Sequence, residues 1–354
     1  MPLFERKKTV KDLLQGINES LLVLSVTKSD KDVVAIMKNL AYIKEMLIDK
    51  SDVRISGNEK DQELSNSERS RINEVLNEIS TEMINLDIFL PLVKNMVSLK
   101  FESVKQVVDI FSRIFRIQND NIIKHNPVVF HLTSRPEFFQ ELILSYNNPL
   151  NIPHCGTILR DACRHEDLCS IVLSLKEFYL LFDHAQSQAF DISSDAFSTI
   201  KELLTQHKKL VSVFIENNFD VFFSHYQDLY LSDNYMTQRQ ALKVLSEILL
   251  ERHNKIIMIK YISNVENLKK IMNLLKDEKK QLAFEAFHCF KVFVAASEKP
   301  KAVNNILYQN KDKLIAFLTN FQSDRSDDGQ MHTEKNYVIN QIKLLPPPGE
   351  TTMP

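Results

Sequence analysis

Along much of this chain apolar residues return every three or four positions, the stripe spacing of a 3.6-residue helix. One version of the stripe is repeated. It reads small-or-apolar, apolar, two free positions, apolar, two free positions, apolar or small, apolar. The copies are Val107-Val108-Phe111-Ile114-Phe115, Cys155-Gly156-Leu159-Ala162-Cys163, Ala196-Phe197-Ile200-Leu203-Leu204, Ala241-Leu242-Leu245-Ile248-Leu249 and Ala286-Phe287-Phe290-Phe293-Val294. Their first positions are 48, 41, 45 and 45 residues apart. That period belongs to stacked helical repeats of the armadillo or HEAT kind. The predicted fold is therefore all-α, an armadillo/HEAT-like solenoid forming a curved rod with a concave groove.

The pattern also places the remaining elements. Residues 1–9 read as a mobile arm. A first helix follows, with Leu13, Leu14, Ile17, Leu21, Leu22 and Leu24, and a second runs over about 33–48. The polar stretch 49–71 reads as a surface loop that leads into the next helix. Pro91, Pro127, Pro136, Pro149, Pro153 and Pro300 punctuate the helices that follow, each able to open one or stop one. Ser263-Asn-Val-Glu266 reads as a capping box that opens a helix carrying Leu268, Ile271, Met272 and Leu275. The repeat domain so defined spans 10–322. A polar tail, 323–354, holds a short final helix over about 333–345, closed by Pro346-Pro347-Pro348.

The alanines that begin three successive copies leave room for a neighbouring helix, and the last copy is crowded with Phe284, Phe287, Phe290 and Phe293. These positions read as core. The positions outside the stripe carry the functional information. Two residues before each anchor stand Lys105, Pro153, Ser194, Arg239 and Phe284. Lys105 and Arg239 thus share one place on equivalent helices, where a regular solenoid would turn both cations into its groove.

Composition narrows the function. Of 354 residues 44 % are hydrophobic and 25 % charged, and the net charge is −2, which argues against a broad basic face for nucleic acid. Only five glycines occur (Gly16, Gly57, Gly156, Gly329, Gly349), too scattered for a phosphate loop or dinucleotide fingerprint. The N-terminus lacks the apolar core of a secretory signal, and no apolar run reaches the roughly 18 residues of a membrane span. The expected compartment is the cytoplasm, with Cys155, Cys163, Cys169 and Cys289 as reduced thiols.

Candidate catalytic and metal chemistry is thin. His154, Cys155, Cys163, His165 and Cys169 cluster in sequence but contain no Cys-x-x-Cys pair, and two of the cysteines sit on the apolar stripe. Asp324 to Gly329 resembles half of a calcium loop, yet its twelfth position is Lys335 where a glutamate is required. No serine has a glycine two residues away on each side. Asp191 and Asp195 form an acid pair of the sort common near helix N-termini. The expectation is no enzyme, no metal and no cofactor.

Longer motifs carry a resemblance. Phe190-Asp-Ile-Ser-Ser-Asp-Ala-Phe, Arg239-Gln-Ala-Leu-Lys-Val-Leu, Glu251-Arg-His-Asn254, Lys260-Tyr-Ile-Ser263 and Phe284-Glu-Ala-Phe-His-Cys-Phe-Lys-Val-Phe-Val-Ala295 resemble the calcium-binding protein 39 family, also called mouse protein 25. Cys163-Arg-His-Glu166 and Asn320-Phe-Gln-Ser-Asp-Arg325 fit as well. The resemblance is close from about 155 to 325 and looser before it. It implies a non-catalytic scaffold that binds the STRAD pseudokinase and germinal-centre kinases, holds the kinase fold closed, and takes part in a polarity and energy-sensing complex. It implies concave-face contacts at Lys105, Phe190, Tyr235, Arg239 and Arg252. It also implies a pocket near the C-terminal end, with Lys269 and Met272, for a Trp-Glu-Phe-like tail of the partner. Periodicity alone assigns Met272 to the core.

Two positions depart from the family. Lys255 stands where animal members have an aromatic residue, which removes an anchor for a third, active kinase. Gln309 replaces a lysine near the tail pocket and makes it less positive. The expected partner is a kinase or pseudokinase of the germinal-centre class, and the chain alone is expected to be monomeric. The competing reading, a general armadillo-like adaptor for extended peptides, loses ground because such grooves use tryptophan and this chain has none.

Overall fold

A computed structural model of the chain describes residues 8–27, 29–47, 66–117, 126–297, 299–322 and 329–347. Most of the expected N-terminal arm and of the 49–71 loop lies outside them, as does nearly all of the half calcium loop. Among the described residues there are twenty α-helices and no strand. The chain divides into two compact units, Met1–Gln206 and His207–Pro354.

The first unit opens with a helix pair, α1 (Val10–Leu24) and α2 (Asp30–Leu47). Three repeats of three helices follow. They are α3 (Asn66–Asn85), α4 (Phe89–Asn95) and α5 (Phe101–Phe115); α6 (Pro127–Thr133), α7 (Pro136–Leu144) and α8 (Ile152–Ala162); α9 (Glu166–Ser174), α10 (Leu180–Ala185) and α11 (Phe190–Thr205). The second unit has three more: α12 (Lys208–Asn217), α13 (Phe219–Tyr230) and α14 (Tyr235–Leu250); α15 (Lys255–Ile262), α16 (Val265–Leu274) and α17 (Lys280–Ala295); α18 (Lys301–Gln309), α19 (Lys311–Asn320) and α20 (Gly329–Lys343).

The five sequence copies fall on the third helix of successive repeats, α5, α8, α11, α14 and α17. Every pattern residue except Val108 is buried. The third helices pack on one another, α5 on α8 and α8 on α11 in the first unit, α14 on α17 and α17 on α20 in the second. The alanines at the head of three copies, Ala196, Ala241 and Ala286, are fully buried, so a larger side chain there would push the layer apart.

Contacts between these helices also give their direction. On α8, Gly156 and Arg160 meet Asp195 and Thr199 of α11. On α14, Arg239 meets Glu285 of α17. In each case the fifth or ninth residue of one helix touches the sixth or tenth of the next, so neighbouring third helices run parallel with their starts together.

Local chemistry explains several boundaries. Thr9 accepts from the Asp12 amide and Asp12 answers to the Thr9 amide, a capping box that opens α1. Pro127, Pro136 and Pro153 sit in the first turn of α6, α7 and α8, where no helical amide bond is lost.

Three expectations are corrected. The cap of α16 is Asn264, whose side chain accepts from the Glu266 amide, and not Ser263. Ser263 instead closes α15, its hydroxyl donating to the Ile259 carbonyl. Glu266 turns outward to Lys269, 2.7 Å away. Phe284 is half-buried rather than core. The final helix begins at Gly329, four residues before Thr333.

Candidate interaction face and C-terminal cleft

The first helical residue of a third helix has no amide partner within the helix. Phe101, Phe190 and Tyr235 hold that place on α5, α11 and α14. Phe190 is 63 % exposed, a large apolar ring left in water. Tyr235 is half-buried, with the Lys279 ammonium 5.3 Å from its ring centre.

One turn later come the two cations singled out by register. Lys105 is exposed on α5; its ammonium lies 4.2 Å from the Phe101 ring centre and 3.4 Å from Glu102 Oε1. Arg239 on α14 is one-third exposed, and its Nε donates to Glu285 Oε1 at 3.4 Å. Glu285 is buried, so it fixes the guanidinium stem from below while the rest of the group reaches the surface.

Arg252 is exposed on a 3-10 turn, Arg252–Asn254, that joins α14 to α15. The turn is held from three sides. Glu251 accepts from the His253 amide, pairs with Lys208 at 2.7 Å, and lies 2.8 Å from His253 Nδ1. Ser212 donates to the His253 carbonyl, and Asn254 donates to the Ile248 carbonyl. The bonds from Lys208 and then His253 pull the Glu251 carboxyl down to about 2.

On α16, Lys269 is exposed and paired with Glu266, while Met272 is half-buried. Met272 is thus not the sealed core residue that periodicity alone assigns. Close by is an open cleft of about 510 Å³, lined by Leu275, Lys276, Asp277, Lys280, Ala283, Phe317, Asn320, Phe321 and Gln322. Neither Lys269 nor Met272 lines it. Gln322, at φ 51°, donates to the Lys280 carbonyl across the cleft wall.

The structure thus groups the sequence-singled residues within each unit: Lys105 and Phe190 on the α5–α8–α11 layer, Tyr235 and Arg239 on α14, Lys269 and Met272 on α16. Sequence reasoning passed over Phe101, Lys279 and Glu285. Phe101 could have been found, since it stands six residues before its anchor just as Phe190 and Tyr235 do.

The sulfur and histidine cluster does different work. All four cysteines are buried and none is in a disulfide. Burial pushes the Cys155 thiol up to about 12 and raises Cys163 and Cys289 as well, which suppresses the nucleophilic thiolate. His154 packs edge-on to Phe101, and His165 Nε2 lies 2.7 Å from the Phe115 carbonyl. Among the described residues no three His, Cys, Asp or Glu side chains converge to hold a metal ion. Nor is any helix among them long and apolar enough to cross a membrane.

Comparison with known proteins agrees with this architecture. Residues 2–346 match the family model described as Mo25-like. A human protein named "Calcium-binding protein 39-like" is 39 % identical over 348 residues, 98 % of each chain. "MO25-like protein 2" of Caenorhabditis elegans is 39 % identical over 97 % of this chain and 98 % of its own. "Mo25-like protein" of Schizosaccharomyces pombe is 41 % identical over 77 % of this chain and 82 % of its own.

Proposed function

The chain belongs to the Mo25-like family, and from that premise we propose that it is a non-catalytic scaffold which binds a germinal-centre-class kinase or STRAD-like pseudokinase and favours its closed form. Family membership supports a scaffold-type protein. The kinase assignment rests on one observation above the others: the exposed edge of α14, where Tyr235 and Arg239 are held outward by Lys279 and the buried Glu285. A cation steadied by a buried carboxylate and set beside a half-exposed ring is pre-organised for a protein surface, because little rotamer entropy is left to lose on binding.

The mechanism is population shift. A scaffold that binds the closed kinase about tenfold better than the open one moves the equilibrium by ~1.4 kcal/mol. Arg239 and Lys105 serve as polar anchors, Phe190 and Tyr235 as apolar ones, and Arg252 extends the surface from its braced turn. Lys269 and Met272 hold the partner's tail. The site of action is the cytoplasm.

The test is activation of a purified germinal-centre-class kinase by wild-type protein and by Arg239→Ala. Activation is expected to fall about tenfold, the scale for losing one interfacial arginine. Undiminished activation removes Arg239 from the contact. For the tail, a Trp-Glu-Phe peptide is expected to bind Met272→Ala more weakly than wild type, and equal affinities remove Met272 from the pocket.

A further inference from the structure

Exposed large apolar side chains scattered singly need no explanation, but the same exposed ring at the same repeat position does. Phe101 opens α5 as Phe190 opens α11 and Tyr235 opens α14. Phe101 is 61 % exposed, as open as Phe190. Core packing cannot account for a ring kept mostly in water at the same place on α5 and α11.

The surroundings of Phe101 fix its orientation. The Lys105 ammonium lies over its face at 4.2 Å, and His154, two residues into α8, meets it edge-on with ring centres 5.7 Å apart. The Phe101 ring is therefore held on two sides while most of its surface stays in water. Burial and the nearby Lys105 charge both lower the His154 pKa, so the imidazole favours its neutral form beside the ring. Phe101 and Phe190 stand at the same end of one layer, because α5 and α11 flank α8 in parallel.

Charge points to the partner's chemistry. In the first unit the positions six and two residues before the three anchors are Phe101, Pro149 and Phe190, and Lys105, Pro153 and Ser194. Lys105 is the one charged residue among them, a cation, in a chain of net charge −2. Two copies depart from the aromatic rule: α8 opens on the buried Ile152 and offers His154 instead, and α17 opens on Lys280.

We infer that Phe101, with Lys105 above it, is a further contact residue of the partner-binding face, and that it receives an apolar side chain flanked by carboxylates on the partner protein. The inference rests on the scaffold reading above. It adds an aromatic contact in the first unit, on the helix that also carries Lys105.

The test measures affinity for the purified domain of a STRAD-like pseudokinase. The proteins are wild type, Phe101→Ala, Phe101→Tyr, Lys105→Glu and, as the reference, Arg239→Ala. Phe101→Ala is expected to weaken binding about tenfold, whereas Phe101→Tyr stays within about threefold of wild type. Lys105→Glu is expected to weaken binding most at low salt, with the defect shrinking as salt screens the partner's carboxylates. Thermal midpoints are expected to stay unchanged, since the ring is mostly exposed. Phe101→Ala within about twofold of wild type, while Arg239→Ala is impaired, overturns Phe101 and leaves the scaffold reading standing. Equal losses in Phe101→Tyr and Phe101→Ala overturn the aromatic role. A salt-independent defect in Lys105→Glu overturns the acidic partner. No binding by wild type overturns the scaffold reading and this inference with it.

Discussion

Helices α8 and α17 occupy the same place in their repeats and carry the same apolar pattern, yet they are fastened in opposite ways. In α17 the fastening is mostly apolar and aromatic, beside the ion pairs Arg239–Glu285 and Lys291–Glu334. Phe287, Phe290 and Phe293 are fully buried, Phe293 lies against Tyr261, and Phe287 against Phe321. In α8 a polar network does the work. Tyr146 donates to Asp195 at 2.7 Å, Arg160 donates to Asp195 at 3.0 Å and to Thr199 at 2.6 Å, and Tyr146 and Thr199 are 3.1 Å apart. Burial, then the Asp195 charge, pushes the Tyr146 hydroxyl well above its ordinary pKa, so it stays a donor. An apolar seam tolerates sliding by a fraction of a turn, whereas a network of directional bonds has one register. Here the network pins α8 to α11, the helix whose first residue is Phe190.

The largest effect is expected where the apolar fastening is cut. Phe290→Ala removes a fully buried ring from α17. It should cost about 3–5 kcal/mol in chemical unfolding. A loss under about 1 kcal/mol would mean that the second unit repacks, and the contrast between the two helices would fail.

Next comes the glycine at the centre of the polar fastening. A Cβ on Gly156 would stand 2.0 Å from Asp195 Oδ2 and 2.5 Å from the Tyr146 hydroxyl. Space, not backbone angle, demands glycine here. Gly156→Ala should destabilise by about 1–3 kcal/mol as an overpacked site. The diagnostic is the double variant. With Asp195→Ala already present, the cost of Gly156→Ala should shrink, because the clash partner is gone. Strict additivity would show that the network does not crowd this position.

These two helices also mark how far the sequence could be read. The pattern was legible in both, because helical burial repeats every three to four residues whatever the neighbours are. The network around Gly156 was not. Its members, Tyr146, Arg160, Asp195 and Thr199, are up to 53 residues apart, and nothing local distinguishes Asp195 from an ordinary acid near a helix N-terminus, paired with Asp191. A sixth copy in α20 was hidden for a different reason. Its anchor is Met331, 45 residues after Ala286, and Lys335 takes the middle apolar place, buried to 5 % with its ammonium donating to the Phe321 carbonyl. An alphabet of apolar residues cannot see a lysine that is satisfied inside. Lys105 and Arg239 were found by register alone, and Phe101 was missed although the same register holds it. The capping error at Ser263 is one of two adjacent polar residues competing for one role, and only geometry separates them.

The smallest effect lies near the surface, where one partner of a charge pair is exposed. Glu251 braces the turn that carries Arg252, much as Asp195 braces α8, and both carboxylates are 15 % exposed, but the partner Lys208 is 60 % exposed where Arg160 is 20 %. Its carboxyl is depressed to about 2 from an ordinary value near 4.5. A depressed folded pKa means that the bracing is fully present above about 4.5 and is lost as pH falls through about 2. An NMR titration of the Glu251 side chain should therefore show a midpoint far below that of free glutamate. Lys208→Gln should raise the midpoint, since the lysine bond is the largest cause of the shift, while leaving the thermal midpoint at pH 7 almost unchanged because exposed pairs are weak. An ordinary midpoint in the wild-type protein would leave the turn to the bonds from Ser212 and Asn254, and Glu251 would then not fasten it by charge.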